Sequence, residues 1–176
     1  MRSSLIFFEY LNDDDIAWIC QVSRKLPIAR AQVVIASGQP NQSMYILLEG
    51  KCRVETAQGL RLDVLSSGDI IGEVSFVDRR KTTAQVTADT PVVLAQLDED
   101  VLGNKLAGDP QFAARFYRGV ASVLAFRLRR NMQTAISKDS DVLSSAYEFA
   151  GEIDAVDLDT TAKAGARLSY LLSRLL

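Results

Sequence analysis

Histidine is absent from all 176 residues. That removes the commonest general base, the commonest transition-metal ligand and the usual charge switch between pH 5 and 8. Cysteine occurs twice, at Cys20 and Cys52. Two thiols without a histidine do not make an ordinary zinc site. They read as two reduced, buried small hydrophobes, since no disulfide follows from spacing alone. An excess of positive charge is also missing: 20 Lys and Arg stand against 22 Asp and Glu, a net charge of −2. Nucleic-acid binding rests on phosphate neutralisation and usually leaves a basic footprint. No run nears the roughly 18 apolar residues of a membrane span. Leu5-Ile6-Phe7-Phe8 is too short for a signal-peptide core. These absences lead us to expect a cytoplasmic binding module, not an enzyme, with no metal, no DNA and no membrane. Ser66-Ser67 and Ser144-Ser145 have no histidine to activate them.

What is present suits a globular domain: 48% apolar and 24% charged residues, enough for a core without staples. Residues 5–26 read as helical, with Asn12 or Asp13 as a cap, Asp14 and Asp15 at the positive end, and Pro27 as the stop. From Pro27 to Leu97 short β-rich runs alternate with turn signals. The runs are 32–36, 44–48, 51–56, 60–65, 83–88 and 92–97, and this rhythm indicates an antiparallel sandwich or barrel. Asp98 then caps a helix over 99–107. Gly108-Asp109-Pro110 ends it and starts a long helix over 110–136. Phe112, Phe116, Val120, Leu124, Leu128 and Met132 recur along that helix at i+4.

The charges are unevenly spread. Arg115, Arg118, Arg127, Arg129 and Arg130 lie on the long helix, which has no acidic residue before Ser137. Asp139 to Asp159 is acidic, and Leu168, Leu171, Leu172 and Leu175 follow on a further helix. The expected domains are 1–136, with the flanking helices, and an acidic helical tail at 137–176. Tail and long helix have opposite charge and could pair within or between chains. The long apolar stripe points to a homodimer through 110–136, with the tail helix packed on it and an unidentified protein partner as a further prospect.

One segment carries chemistry: Gly68-Asp69-Ile70-Ile71-Gly72-Glu73-Val74-Ser75-Phe76-Val77-Asp78-Arg79-Arg80-Lys81-Thr82-Thr83-Ala84-Gln85-Val86. A glycine that permits an unusual turn, followed by a short helix, directs free N–H groups at an anion. Val74, Ser75 and Phe76 are the candidate donors. Glu73 only accepts when ionised, so it suits a ribose 2′-hydroxyl rather than a phosphate.

The segment resembles the phosphate-binding cassette of cyclic nucleotide-binding domains, the β-roll of catabolite-activator-type regulators, cyclic-nucleotide-dependent kinases and gated channels. Gly38 in a turn, Met44–Gly50 ahead of it and the long helix behind it agree. Residues 72–78 and 109–118 are similar to a bacterial branch without a DNA-binding domain, some members of which are associated with bacteriocin-type transport. The resemblance implies an α+β fold: an antiparallel β-roll or jelly-roll sandwich flanked by N-terminal helices, a long C-terminal helix and extra tail helices. It implies a cAMP or cGMP ligand, with Gly72, Glu73, Val74, Ser75, Phe76, Thr82, Thr83 and Ala84 around it and Asn131 approaching the base.

The chain departs from the family pattern at one position. Thr82 stands where the family has the arginine that pairs with the cyclic phosphate. A charge-assisted hydrogen bond contributes about 1.5–3 kcal/mol, so its loss weakens binding by roughly ten- to a hundredfold or abolishes it. Arg79, Arg80 and Lys81 stand just before it and could compensate. Two readings therefore stand: a sensor with a degenerate phosphate site, or a β-roll without ligand that serves dimerisation or protein interaction.

Overall fold

The computed structural model describes residues 3–139 and 158–176. The chain opens with helices α1 (Ser3–Tyr10) and α2 (Asp13–Val22). Eight strands follow, β1 (Arg24–Ile28), β2 (Val33–Ile35), β3 (Ser43–Glu49), β4 (Lys51–Glu55), β5 (Arg61–Ser66), β6 (Ile70–Ile71), β7 (Gln85–Ala88) and β8 (Val92–Asp98). Between β6 and β7 lies the short α3 (Glu73–Asp78). After β8 come α4 (Glu99–Gly108), α5 (Pro110–Asp139) and α6 (Leu158–Leu175). The strands form two four-stranded sheets, ordered β1-β8-β3-β6 and β2-β7-β4-β5. Every pairing is antiparallel. This is the expected α+β roll with flanking helices.

The N-terminal stretch differs from the single helical reading of 5–26. Asn12 interrupts it by capping α2: Asp15 N–H donates to Asn12 Oδ1 and Asn12 N–H donates to Asp15 Oδ2, each at 2.8 Å. Satisfying two start-of-helix donors at once favours a new helix over a continuous one. Residues 24–28 are a strand, not the end of a helix. Pro27 is tolerated there because β1 lies at the edge of its sheet, where a missing N–H costs no ladder bond.

Strand β3 explains why 44–48 is a continuous apolar run rather than an alternating one. Met44, Ile46 and Leu48 face a core shared with the helices, beside Phe7, Phe8, Phe112 and Phe116. Tyr45 and Leu47 face the core between the sheets, beside Cys52, Leu65 and Leu94. A strand covered on both faces has no polar side. Both cysteines are free thiols, with Cys52 buried and Cys20 half-buried.

Helix α5 is fastened by its first half. Phe112, Phe116, Val120 and Val123 are buried. Arg115 forks onto the buried carboxylate of Asp15, Nε to Oδ2 at 2.7 Å and Nη2 to Oδ1 at 2.8 Å. The Asp15 contact raises the Arg115 pKa above its ordinary value. Further basic residues of α5 also find partners outside the tail: Arg118 lies over the Tyr10 ring, Arg127 pairs with Glu73 and Arg130 with Asp63. The acidic side chains at 139–157, expected to pair with this helix, lie outside the described residues, as does the side chain of Asp159.

Helix α6 corrects the expected tail packing. It rests mainly on α1 and α2, not along α5. Ala164 and Leu171 are buried in the helical core. Arg167 donates to the last carbonyls of α1, at Phe8 (3.2 Å) and Glu9 (3.4 Å), and to Asp13 at 2.9 Å. A cation at a helix C-terminus meets the orphan carbonyls there, so this end of α1 offers α6 a fixed anchor. No described helix is long and apolar enough to cross a membrane.

Candidate functional site

The site begins at Gly72, which has φ +90°. A Cβ there would sit 2.7 Å from Asn41 Nδ2 and 2.8 Å from the Ser43 carbonyl. Only glycine meets both the left-handed backbone and the close approach. The turn delivers the chain into α3. Phe76 N–H donates to Gly72 O at 3.1 Å. The amides of Val74 and Ser75 precede that bond and have no acceptor within the helix. Phe76 leaves the set of candidate donors for this reason. Its ring is buried in the core, 6.0 Å from Phe116.

Glu73, the first residue of α3, is 4% exposed. A buried carboxylate needs a partner, and α5 supplies one. Arg127 Nη1 donates to Glu73 Oε1, and Arg127 Nη2 donates to the Ile70 carbonyl at 2.8 Å. Arg127 Nε is buried without a hydrogen-bond partner among the described residues. One guanidinium thus ties the candidate ribose acceptor, strand β6 and the long helix together.

The far end of the cassette is closed on itself. Thr82 is 8% exposed. Its hydroxyl donates to the Ala36 carbonyl at 2.6 Å and accepts from Gln39 N–H at 3.3 Å. Its backbone is stitched to the same turn, Thr82 N–H to Gln39 O at 3.0 Å and Gly38 N–H to Thr82 O at 2.7 Å. A hydroxyl has one proton, and this one is in use. Thr82 supports the Gly38 turn and has no donor left for a ligand.

Gly72, Glu73, Val74 and Ser75 meet Thr82, Thr83, Ala84 and Arg127 around one cavity of about 120 Å³. Ile35, Val54, Leu65, Ile71 and Val86 form its apolar wall, with Asp78 and Lys81 also lining it. Sites for drug-sized ligands usually span about 300–1,000 Å³, so a nucleotide requires Arg127 or α5 to yield space. Asn131 is exposed and does not line the cavity. Among the described residues, the residue of α5 that does is Arg127, one turn earlier.

Residues 25–109 match the family described as Cyclic nucleotide-binding domain. The chain carries a domain of the cyclic nucleotide-binding family. Glutaminase 2 of Bradyrhizobium diazoefficiens is 35% identical over 118 residues, covering 67% of this chain and 19% of that protein. The CRP-like cAMP-activated global transcriptional regulator of Mycobacterium tuberculosis is 28% identical over 128 residues, covering 70% of this chain and 55% of the regulator. The chain therefore spans between a fifth and about half of these curated relatives. A solved cyclic nucleotide-binding domain from Methylobacillus flagellatus shares the fold, with TM-score 0.68, 21% identity and 78% coverage of each chain.

Sequence reading missed Arg127 as a site residue. It falls between the apolar stripe positions Leu124 and Leu128 and looks like one of five basic residues on a solvated face. The usable signal was the pairing problem: Glu73 needed a cation once buried, and the long helix is rich in arginine.

Proposed function

We propose that this domain is a nucleotide-sensing module in which the ligand seats between Gly72–Ser75 and Thr83–Ala84, and α5 reports its arrival through Arg127. The observation that carries this reading is the Arg127–Glu73 pair, which joins to the long helix the glutamate assigned here to the ribose. A ribose hydroxyl that donates to Glu73 competes with Arg127 for the carboxylate. Binding then favours a different position of α5 over the one held by the pair, and such a difference in affinity is what a switch requires. The module is non-catalytic on this reading, and the activities in its relatives' names belong to those proteins. Two unpaired thiols support a reducing, cytoplasmic setting.

Titration with cAMP and cGMP, followed by calorimetry, is expected to show weak saturable binding, with Thr82→Arg tightening cAMP at least tenfold. Absence of heat with any nucleoside, 5′-nucleotide or cyclic nucleotide at millimolar concentration in both proteins would overturn the reading and leave a β-roll that acts only by contact.

We further propose that α5 forms a homodimer seam. Tyr117, Leu128 and Met132 are 44%, 61% and 55% exposed. With Ala121 and half-buried Leu124 they follow the three-and-four spacing of a helix pair. Light scattering is expected to give a dimer at micromolar concentration, and Leu128→Asp with Met132→Asp a folded monomer. A wild-type monomer at that concentration would refute the seam.

A further inference from the structure

The positive charge around the cavity is not where a cyclic phosphate would need it. The buried corner at Thr82 holds a neutral hydroxyl already bonded to Ala36 and Gln39. Arg127, on the α5 side, is committed to Glu73 and the Ile70 carbonyl. Of the basic triplet, Arg79 is paired with Glu99 and stacked 5.3 Å from the Phe76 ring, and Arg80 does not line the cavity. Lys81 does line it, is exposed, and makes no ion pair among the described residues. The amides of Val74 and Ser75 donate but carry no net charge. The cation available to a ligand is therefore on the wet rim, one residue before the buried position.

We infer that the anion subsite lies at this rim around Lys81, and that the ligand class it suits is a nucleoside 5′-monophosphate rather than a 3′,5′-cyclic nucleotide. This rests on the nucleotide-sensing reading above. Three physical points carry it. A 3′,5′ ring ties the phosphorus to the sugar, and so to the uncharged floor beside Thr82. A 5′-phosphomonoester hangs on a rotatable arm that reaches outward. Its charge at pH 7 is close to −2, against −1 for the cyclic diester, so a point charge in water gains more from it. A lysine ammonium also accepts phosphate in many orientations, unlike an arginine fork, and does not select for the ring. Asp78 is the opposing charge on the same rim, its Oδ1 accepting from Arg80 N–H at 3.0 Å.

The test is calorimetry of the full chain with adenosine, 5′-AMP and 3′,5′-cAMP, and with the guanosine series. The expected order is 5′-monophosphate tightest, with the cyclic nucleotide no better than the nucleoside. Lys81→Ala is expected to lower 5′-monophosphate affinity about fivefold, the scale of an exposed ion pair, and to leave the nucleoside unchanged. Asp78→Asn is expected to tighten the monophosphate, and Thr82→Arg to move the preference to the cyclic ligand. A wild-type preference for the cyclic nucleotide of tenfold or more, or a Lys81→Ala variant that binds 5′-monophosphate normally, overturns the rim subsite and leaves the sensing reading intact. Failure of all three ligand types to bind wild type and Thr82→Arg alike overturns both.

Discussion

The two halves of α5 are held by different forces. From Pro110 to Val123 the helix is a core element: Phe112, Phe116, Val120 and Val123 are buried, and Arg115 is clamped by Asp15. From Leu124 onward Leu128 and Met132 stand in solvent, and the helix is tied to the β-roll by Arg127 to Glu73 and Arg130 to Asp63. Apolar burial is non-directional and large, whereas an ion pair is directional, and a carboxylate can exchange one hydrogen-bond donor for another. On the proposed function, the first half is a fixed base and the second a lever whose fastening a ligand would replace. The difference suggests that the ligand-responsive end of a helix is the end that relinquishes hydrophobic contact.

The largest expected effect breaks the base. Phe116→Ala removes a ring at 1% exposure that touches Phe7, Phe76, Phe112 and Tyr117. It is expected to cost about 3–5 kcal/mol in chemical denaturation. Leu128→Ala, at 61% exposure in the single protomer, is expected to change the stability of the dissociated chain by less than about 0.5 kcal/mol. Equal losses at the two positions would erase the contrast between the halves.

Arg127→Ala tests the lever and should have an intermediate effect. It strips a buried carboxylate of its cation, but the neighbouring cavity lets water reach Glu73, so a loss of about 1–3 kcal/mol is expected. Combining it with Glu73→Gln is expected to recover part of that loss, since the two groups act as one unit. Additive losses in the cycle would mean that the pair does not couple α5 to the cassette.

The smallest effect lies at the start of the base and appears with pH. Asp109 Oδ1 accepts from Phe112 N–H at 2.9 Å, and Oδ2 meets Lys105 Nζ at 2.8 Å. The lysine contact, then the backbone N–H, hold its carboxyl below the ordinary value of 3.8. The unfolded chain binds that proton more readily, so this contribution is fully present above about pH 4. It is lost as pH falls through the native value. Asp109→Asn is expected to flatten the acid limb of the stability curve between pH 4 and 2 and leave pH 7 nearly unchanged. An unaltered acid limb would remove Asp109 from the list of anchors.

Much of the fold was legible because its signals are local. Turn residues and apolar runs marked strands β2 to β5, β7 and β8 to within about two residues, and Gly108-Asp109-Pro110 marked the junction of α4 and α5. Apart from the local capping box at Asn12, which splits the first helical stretch, the misreadings were cases where a distant contact overrode a local pattern. Residues 24–28 look like a helix end until β8 offers them a sheet edge. The leucines of α6 look like a partner for α5 until α1 and α2 present a better-fitting face. At the site, the turn at Gly72 and the charge of Glu73 could be read directly. The burial of Phe76 and the exposure of Asn131 could not, because both depend on the angle at which α5 crosses the roll.

The missing histidine and the neutral residue at position 82 are properties of composition and order. They limit the chemistry available whatever the fold. That Thr82 spends its hydroxyl on Ala36, that Lys81 reaches the rim, and that Arg127 closes on Glu73 from 54 residues away are decided by packing. Local periodicity follows from neighbours along the chain. The partner of a buried charge follows from which distant surface arrives beside it, and desolvation leaves that charge to take the partner it finds.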